Sequence, residues 1–269
     1  MDFLQKFTGA SNRNASIVCV GLDPDLERIP DHVKSAPDPL FAFLNEIVAA
    51  TRDLVCCYKP NFAFFGSSGR SGWESLEALT RIIPEDIPIL LDFKAGDIGN
   101  TAAHYARMAY ERIQADAVTV NPLMGLDAVD PFLSYRDKCC FLLCLTSNPG
   151  SSDFQRLETN DGPLYQAVAK KAVTWSSTGP CGLVVGATHP KELSEIRGIA
   201  PTLPFLVPGV GSQGGSAEEV VKNGRDETGA GLLINASRSI LYASSGKDFA
   251  EAARSATIEL RDQLAAAPA

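Results

Sequence analysis

The chain has 269 residues, 45% of them hydrophobic and 21% charged, which is ordinary usage for a globular protein. That length suits one α/β barrel of roughly 250 residues as well as it suits two smaller domains. A formal net charge of -8, with no lysine-rich run, argues against a broad nucleic-acid or membrane surface, while an anionic small molecule needs only a few local cations.

Apolar runs and helical periodicities alternate from end to end. Residues 16–22 read as a strand that ends in Gly21-Leu-Asp-Pro-Asp25. Residues 39–51 read as a helix, with Leu40, Phe43, Leu44, Ile47 and Val48 on one stripe. A short strand over 55–58 delivers Lys59-Pro-Asn61, and the helix over 73–83 is stopped by Pro84. The third strand is the apolar run 87–91, followed by a helix over 100–113. The fourth is 117–120, with a helix from about Gly125. The fifth is 140–145, followed by the polar loop 151–161 and a helix over 163–175. The sixth is 182–185, and its helix begins near Pro190. The seventh, 205–207, opens into Pro208-Gly-Val-Gly-Ser-Gln-Gly-Gly215; the eighth, 231–234, leads to Asn235-Ala-Ser-Arg-Ser239 and a last helix over 247–264. Eight βα units with continuously apolar strands imply parallel strands covered by helices. Their number and the chain length favour a single (β/α)8 TIM barrel, one domain over 1–269.

The seven cysteines form no C-x-x-C pair and have no histidine at zinc spacing, so buried, reduced thiols in a cytoplasmic protein are expected. Met1-Asp-Phe-Leu-Gln-Lys lacks the apolar core of a signal peptide, and no run reaches the ~18 apolar residues of a membrane helix. His32, His104 and His189 are scattered and read as surface or packing residues rather than metal ligands. No Gly-x-Gly-x-x-Gly follows a strand, which argues against a dinucleotide site.

Polar residues collect where the strands end, the end at which such barrels build their sites. Asp23 follows the first strand and Lys59 the second; Asp92, Lys94 and Asp97 follow the third. Thr146, Ser147 and Asn148 follow the fifth, Gln213 the seventh, and Ser237 and Arg238 the eighth. Asp92 and Lys94 are two residues apart and so share a face of an extended strand. Charges there are costly unless they neutralise one another or do chemistry. On these residues alone, an ion pair plugging the sheet and a reactive cluster both stand. The repetition around one mouth favours a site. Glycines 209, 211, 214 and 215 let backbone N–H groups turn toward an anion, and Arg238 adds a fork suited to phosphate. Asp127 and Asp130 lie near the rim and read as residues at the start of a helix.

Asp92-Phe-Lys94-Ala-Gly-Asp97-Ile-Gly-Asn-Thr101 resembles the Asp-x-Lys-x-x-Asp motif of the orotidine 5'-monophosphate decarboxylases. Asp23 in Gly-Leu-Asp-Pro, Lys59, Ser147, the Pro-Gly-Val-Gly-x-Gln-Gly-Gly loop and Arg238 follow in the family's order. The Leu-Thr-Ser-Asn-Pro-Gly and Asn-Pro-Leu-Met-Gly-Leu-Asp segments look like the longer-chain bacterial subgroup, type 2, although Ala95 stands where that subgroup more often has Arg. The resemblance implies cofactor-free decarboxylation of orotidine 5'-monophosphate to uridine 5'-monophosphate and CO2, the last step of pyrimidine nucleotide biosynthesis, with no metal. It implies that Lys94 stabilises and protonates a C6 carbanion, and that Asp92 faces the substrate carboxylate. Lys59 and Asp97 then complete an alternating Lys-Asp-Lys-Asp array. Asp23 and Lys59 hold the ribose, Ser147 the pyrimidine, and Gln213 bridges base and phosphate. Arg238, with backbone near Gly211 and Gly214, takes the phosphate, under a closing loop over 212–216. Asp97 and Thr101 belong to the partner's site, which implies an obligate homodimer.

Competing readings keep the fold or only the ligand. A Mg-dependent sugar-phosphate enzyme of the same superfamily calls for an acidic residue where Lys59 stands. A Schiff-base aldolase uses Lys94 as nucleophile, and a silent nucleotide-binding protein binds pyrimidine monophosphates without turnover.

Overall fold

Eight strands form one parallel sheet in the computed structural model, which describes residues 1–211, 214–227 and 231–267. They are β1 (Val18–Leu22), β2 (Cys57–Pro60), β3 (Leu90–Ala95), β4 (Ala117–Val120), β5 (Cys139–Leu145), β6 (Cys181–Val185), β7 (Phe205–Pro208) and β8 (Leu232–Ala236). Each pairs in parallel with its neighbour in sequence from β3 to β8, and β8 then pairs with β1 and β1 with β2. The bridges Tyr58↔Ile89 and Asn61↔Asp92 join β2 to β3, so the sheet closes on itself as expected.

The strands are buried on both faces because a helical layer covers them outside and side chains fill them inside. The helix Pro39–Thr51 keeps its expected bounds: Asp38 caps it by accepting the Phe41 N–H, and Pro39 occupies the first turn, where its missing N–H costs nothing. The helix over 100–113 is an α-helix, Gly99–Arg107, that runs on as a π-turn, Met108–Arg112. Inside the barrel, Phe141 fills the axis. Gly182 is required opposite it, since a Cβ there would lie 2.6 Å from the Phe141 ring.

An element absent from the sequence reading closes the barrel's N-terminal mouth. The helix Phe3–Asn14 is capped by Asp2 and Gln5 in a reciprocal capping box and buries Phe3, Phe7 and Ala10. Phe3 stands edge-on to Phe141 at 5.6 Å. Lys6 anchors the helix by donating to Asp116 Oδ1 at 2.8 Å, while Asp116 Oδ2 accepts the Ile89 N–H. With this plug below, the C-terminal mouth is the open end.

Three strand ends run past their expected bounds and matter for the site, β8 among them, since it continues to Ala236 and so contains Asn235. Strand β2 runs to Pro60, so Lys59 lies within it; β3 runs to Ala95, so Asp92 and Lys94 are strand residues rather than loop residues. Apolar-run logic stops a strand at the first charge, whereas these charges are carried inside the sheet because they pair with one another. The polar loop 151–161 also carries structure, a 3-10 turn Pro149–Asp153 and a strand pair, Glu158–Thr159 against Gly162–Pro163.

Candidate functional site

Lys59 is 3% exposed and its Nζ donates to Asp92 Oδ2 at 2.8 Å, with Asp23 Oδ1 4.0 Å away. Lys94 Nζ donates to the other oxygen, Asp92 Oδ1, at 2.6 Å. One carboxylate therefore holds two ammonium groups, one from each side. Burial opposes the charge on Asp92, but Lys59 and Lys94 outweigh it and hold the carboxyl well below its ordinary range. Burial likewise opposes the charge on Lys59, and Asp92 and Asp23 override it, so the ammonium is held above its ordinary value. The difference between the two lysines lies in access. The Lys94 side chain is 47% exposed at the mouth, while Lys59 lies deeper in the same chamber at 4%.

Asp23 extends the array. Its Oδ2 accepts from Ser237 Oγ at 2.6 Å, and its Oδ1 is buried without a hydrogen-bond partner among the described residues. Such an acceptor invites a hydroxyl donor from a ligand. Tyr242 Oη fixes the loop carrying Asp23 by donating to the Asp23 carbonyl and accepting the Asp25 N–H at 2.7 Å. Lys59, Asp92 and Lys94 share a cavity of ≈ 230 Å³ with Ser147, Thr119 and Asn235, and with Leu143, Val184 and Leu206 also lining it, seven strands, β2 to β8, contribute to one chamber. Ser147 follows β5, and its backbone packs so closely on Gly186 that a Cβ there would meet the Ser147 nitrogen at 2.7 Å.

The remaining expected residues lie elsewhere. Asp97 does not reach Lys94 within the chain; its Oδ1 accepts its neighbour's N–H, from Ile98. Thr101 lines a separate outer groove of ≈ 550 Å³, which begins at Lys94 and passes His104, Tyr105, Trp73 and Phe62. Gly211 and Gly214 take positive φ values of 71° and 85°, as their glycines allow. Their N–H groups donate to Gly215 O and Gly211 O, so in this turn neither faces an anion. Arg238 opens the short helix Arg238–Leu241 and is exposed. Gln213 lies outside the described residues. Asp127 falls in the first turn of the helix Leu126–Leu133, whereas Asp130 falls mid-helix. Among the described residues no group of three or more His, Cys, Asp or Glu can hold a metal ion. The seven cysteines are all buried and unbridged. No described helix is long and apolar enough to cross a membrane.

Two residues of the chamber escaped the sequence reading. Thr119 donates from Oγ1 to Asp92 Oδ1 at 2.8 Å and accepts the N–H groups of Phe93 and Lys94, each at 3.1 Å. Its signal was a lone hydroxyl in the otherwise apolar Ala117-Val-Thr-Val120. Asn235 ends the eighth apolar run, and its Oδ1 lies 3.8 Å from Cys19 Sγ.

This geometry sits in a chain whose residues 16–255 match the family model for orotidine 5'-phosphate decarboxylase / HUMPS proteins. Orotidine 5'-phosphate decarboxylase of Azoarcus sp. is 50% identical over 268 residues, covering 98% of each chain; that of Ralstonia pickettii is 48% identical with the same coverage. The solved structure of Leishmania donovani OMP decarboxylase superposes with a TM-score of 0.85 at 38% identity, over 99% of this chain and 100% of that one. With the family model matched over most of its length and full-length relatives near half identity, the chain belongs to the orotidine 5'-phosphate decarboxylase / HUMPS family.

Proposed function

We propose that the chain decarboxylates orotidine 5'-monophosphate with the Lys59–Asp92–Lys94 array as its reactive centre, the residues 1–269 acting as one domain. The observation that carries this reading is Asp92 held between two ammonium groups that line one chamber, Lys59 nearly buried and Lys94 half-exposed at its mouth. Breaking the bond from C6 to the carboxylate leaves its electron pair on C6 in an orbital that the pyrimidine ring cannot delocalise by simple conjugation. A fixed cation beside that carbon stabilises the developing charge. The Lys94 ammonium fills that role and passes its proton to C6 as CO2 departs, after which solvent reprotonates the amine. Asp92, kept ionised by its two lysines, faces the substrate carboxylate and disfavours the ground state.

Binding roles divide along the chamber. Asp23, whose Oδ1 awaits a donor, and Lys59 hold ribose hydroxyls; Ser147 meets the pyrimidine. Arg238, Gln213 and the backbone at Gly211 and Gly214 take the phosphate. Because those two amides are now bound within their own turn, phosphate capture through them requires the loop to rearrange, which suits a segment that closes on substrate. Binding energy from the remote phosphate then supports the chemistry at the ring.

A homodimer completes the site. Asp97 makes no ion pair with its own Lys94 but accepts the Ile98 N–H, and the outer groove that contains Thr101 runs from the half-exposed Lys94 between apolar walls. A second copy covering that groove brings its Asp97 and Thr101 to the ammonium. The reaction uses no metal or organic cofactor, and the seven unbridged thiols fit a reducing cytoplasm. The test is conversion of orotidine 5'-monophosphate to uridine 5'-monophosphate with chelator present. Chelator-insensitive turnover is expected. Loss of activity that Mg2+ restores would favour the metal-dependent alternative, and binding of uridylate without turnover the silent one.

A further inference from the structure

The register of β3 against β4 breaks at the reactive centre. Leu91 pairs with Val118 and Ala95 with Val120, so Asp92, Phe93 and Lys94 together stand opposite the single residue Thr119. An irregularity of this kind leaves ladder N–H groups without their usual carbonyls. Thr119 Oγ1 accepts two of them, from Phe93 and Lys94, and spends its one proton on Asp92 Oδ1. A hydroxyl has one donor and two acceptor sites, so this one is fully used. Beyond the irregularity the ladder resumes, with the Asn121 N–H donating to Ala95 O at 2.7 Å.

The bulge also fixes the backbone of Lys94 at φ 48°, in the left-handed region where side chains other than Gly and Asn are rare. Strained backbone of this kind persists only where its surroundings over-determine it. Here the determinant is the Thr119 hydroxyl, which binds the Lys94 amide and, through Asp92 Oδ1, the oxygen that receives the Lys94 ammonium at 2.6 Å. Both ends of the lysine are thereby referred to one buried atom. Thr119 is 1% exposed and sits on a strand, a more rigid support than a loop.

We propose that Thr119 is a positioning residue for the decarboxylation: its hydroxyl holds the β3 bulge and so aims the Lys94 ammonium and the Asp92 carboxylate at the reacting carbon. The proposal rests on the reading of Lys94 as the proton donor. It predicts an effect on kcat rather than on substrate binding, because the hydroxyl is committed to the protein rather than to the ligand.

The experiment compares steady-state kinetics on orotidine 5'-monophosphate and uridylate binding for the wild type, Thr119→Val and Thr119→Ser. Thr119→Val keeps the shape and removes the hydroxyl; it should lower kcat about 30-fold, as misplacement of a reacting group does, with KM and uridylate affinity changed less than about threefold. Thr119→Ser, which restores the hydroxyl, should bring kcat back to within about fivefold of wild type. Should Thr119→Val be insoluble, Thr119→Ala against Thr119→Ser carries the same contrast. Wild-type kcat in the valine or alanine variant overturns the proposal, as does a serine variant no better than valine. A loss confined to KM or thermal stability overturns it too, by assigning Thr119 to binding or packing. An inert wild type would instead overturn the underlying assignment of the reaction.

Discussion

Replacing Lys59 with Met removes a buried ammonium while keeping most of its volume, and the consequence for stability follows from the array. At 2.8 Å, the Lys59–Asp92 attraction is about 6 kcal/mol gross at an effective dielectric near 20. The cost of burying both charges offsets most of it, so the intact pair contributes little net. Breaking the pair is different, since Asp92 and Asp23 are left as neighbouring carboxylates in the interior; such losses run to roughly 3–5 kcal/mol. Asp92 retains Lys94 and Thr119, which places Lys59→Met at the lower end, about 3 kcal/mol. With an unfolding entropy of about 2.1 cal/mol/K per residue over 269 residues, that is a fall in Tm of roughly 5 °C.

The pH dependence is specific. The folded-state Asp92 lies below its unfolded value, so its contribution is present above about pH 4 and is lost as pH falls through the folded value. The folded-state Lys59 lies above its unfolded value, so its contribution is present below about pH 10 and is lost as pH rises further. The gap between wild type and variant is therefore widest from about pH 5 to 9 and narrows toward acid. Differential scanning calorimetry of both proteins at pH 7.5 and pH 3 measures it. A variant that melts with the wild type at pH 7.5, or a gap that does not narrow in acid, would refute the reasoning.

Three further outcomes are expected. Mixing refolded Lys94→Ala and Asp97→Ala chains, each inactive alone, should restore about a quarter of wild-type activity, because half the random dimers carry one intact site; no recovery would refute the shared site. Arg197→Met should cost about 3 kcal/mol and leave kcat unchanged, since the guanidinium stacks 3.5 Å over Phe205 and donates to the carbonyls of Gly224, Ala200 and Leu203 at the mouth opposite the site. Thermal melts and kinetics separate the two effects. Phe3→Ala should cost about 3 kcal/mol by emptying the plug against Phe141, again without changing kcat at 25 °C.

Much of this molecule was legible in its sequence, for reasons that particular residues make plain. Strands buried on both faces are continuous apolar runs, so β4 and the helix Pro39–Thr51 fall on their expected bounds. The residues Asp92, Lys94, Lys59, Asp23 and Ser147 converge as expected because parallel strands all end at the same mouth. The plugging helix was illegible because its apolar positions are few, and Phe3, Phe7 and Ala10 acquire meaning only against the barrel floor. The bulge was illegible for another cause. Alternation places Asp92 and Lys94 on one face of a regular strand, but their contact depends on a left-handed Lys94 and a threonine on the neighbouring strand, a long-range condition without local signature. Asp97 and Arg238 were not brought to the array: Asp97 accepts the N–H of its neighbour Ile98, and Arg238 is exposed at the start of a short helix.

The most direct measurement is the paired one on Lys94→Ala: decay of orotidine 5'-monophosphate absorbance, and affinity for uridine 5'-monophosphate. Lys94 is half-exposed and its ammonium is not needed to fill the core, so the variant should still fold and bind uridylate. The proposed chemistry predicts that decarboxylation disappears while uridylate binding survives within about tenfold. Turnover close to wild type in Lys94→Ala would contradict it, because the proton and the stabilising charge would then have to come from another residue.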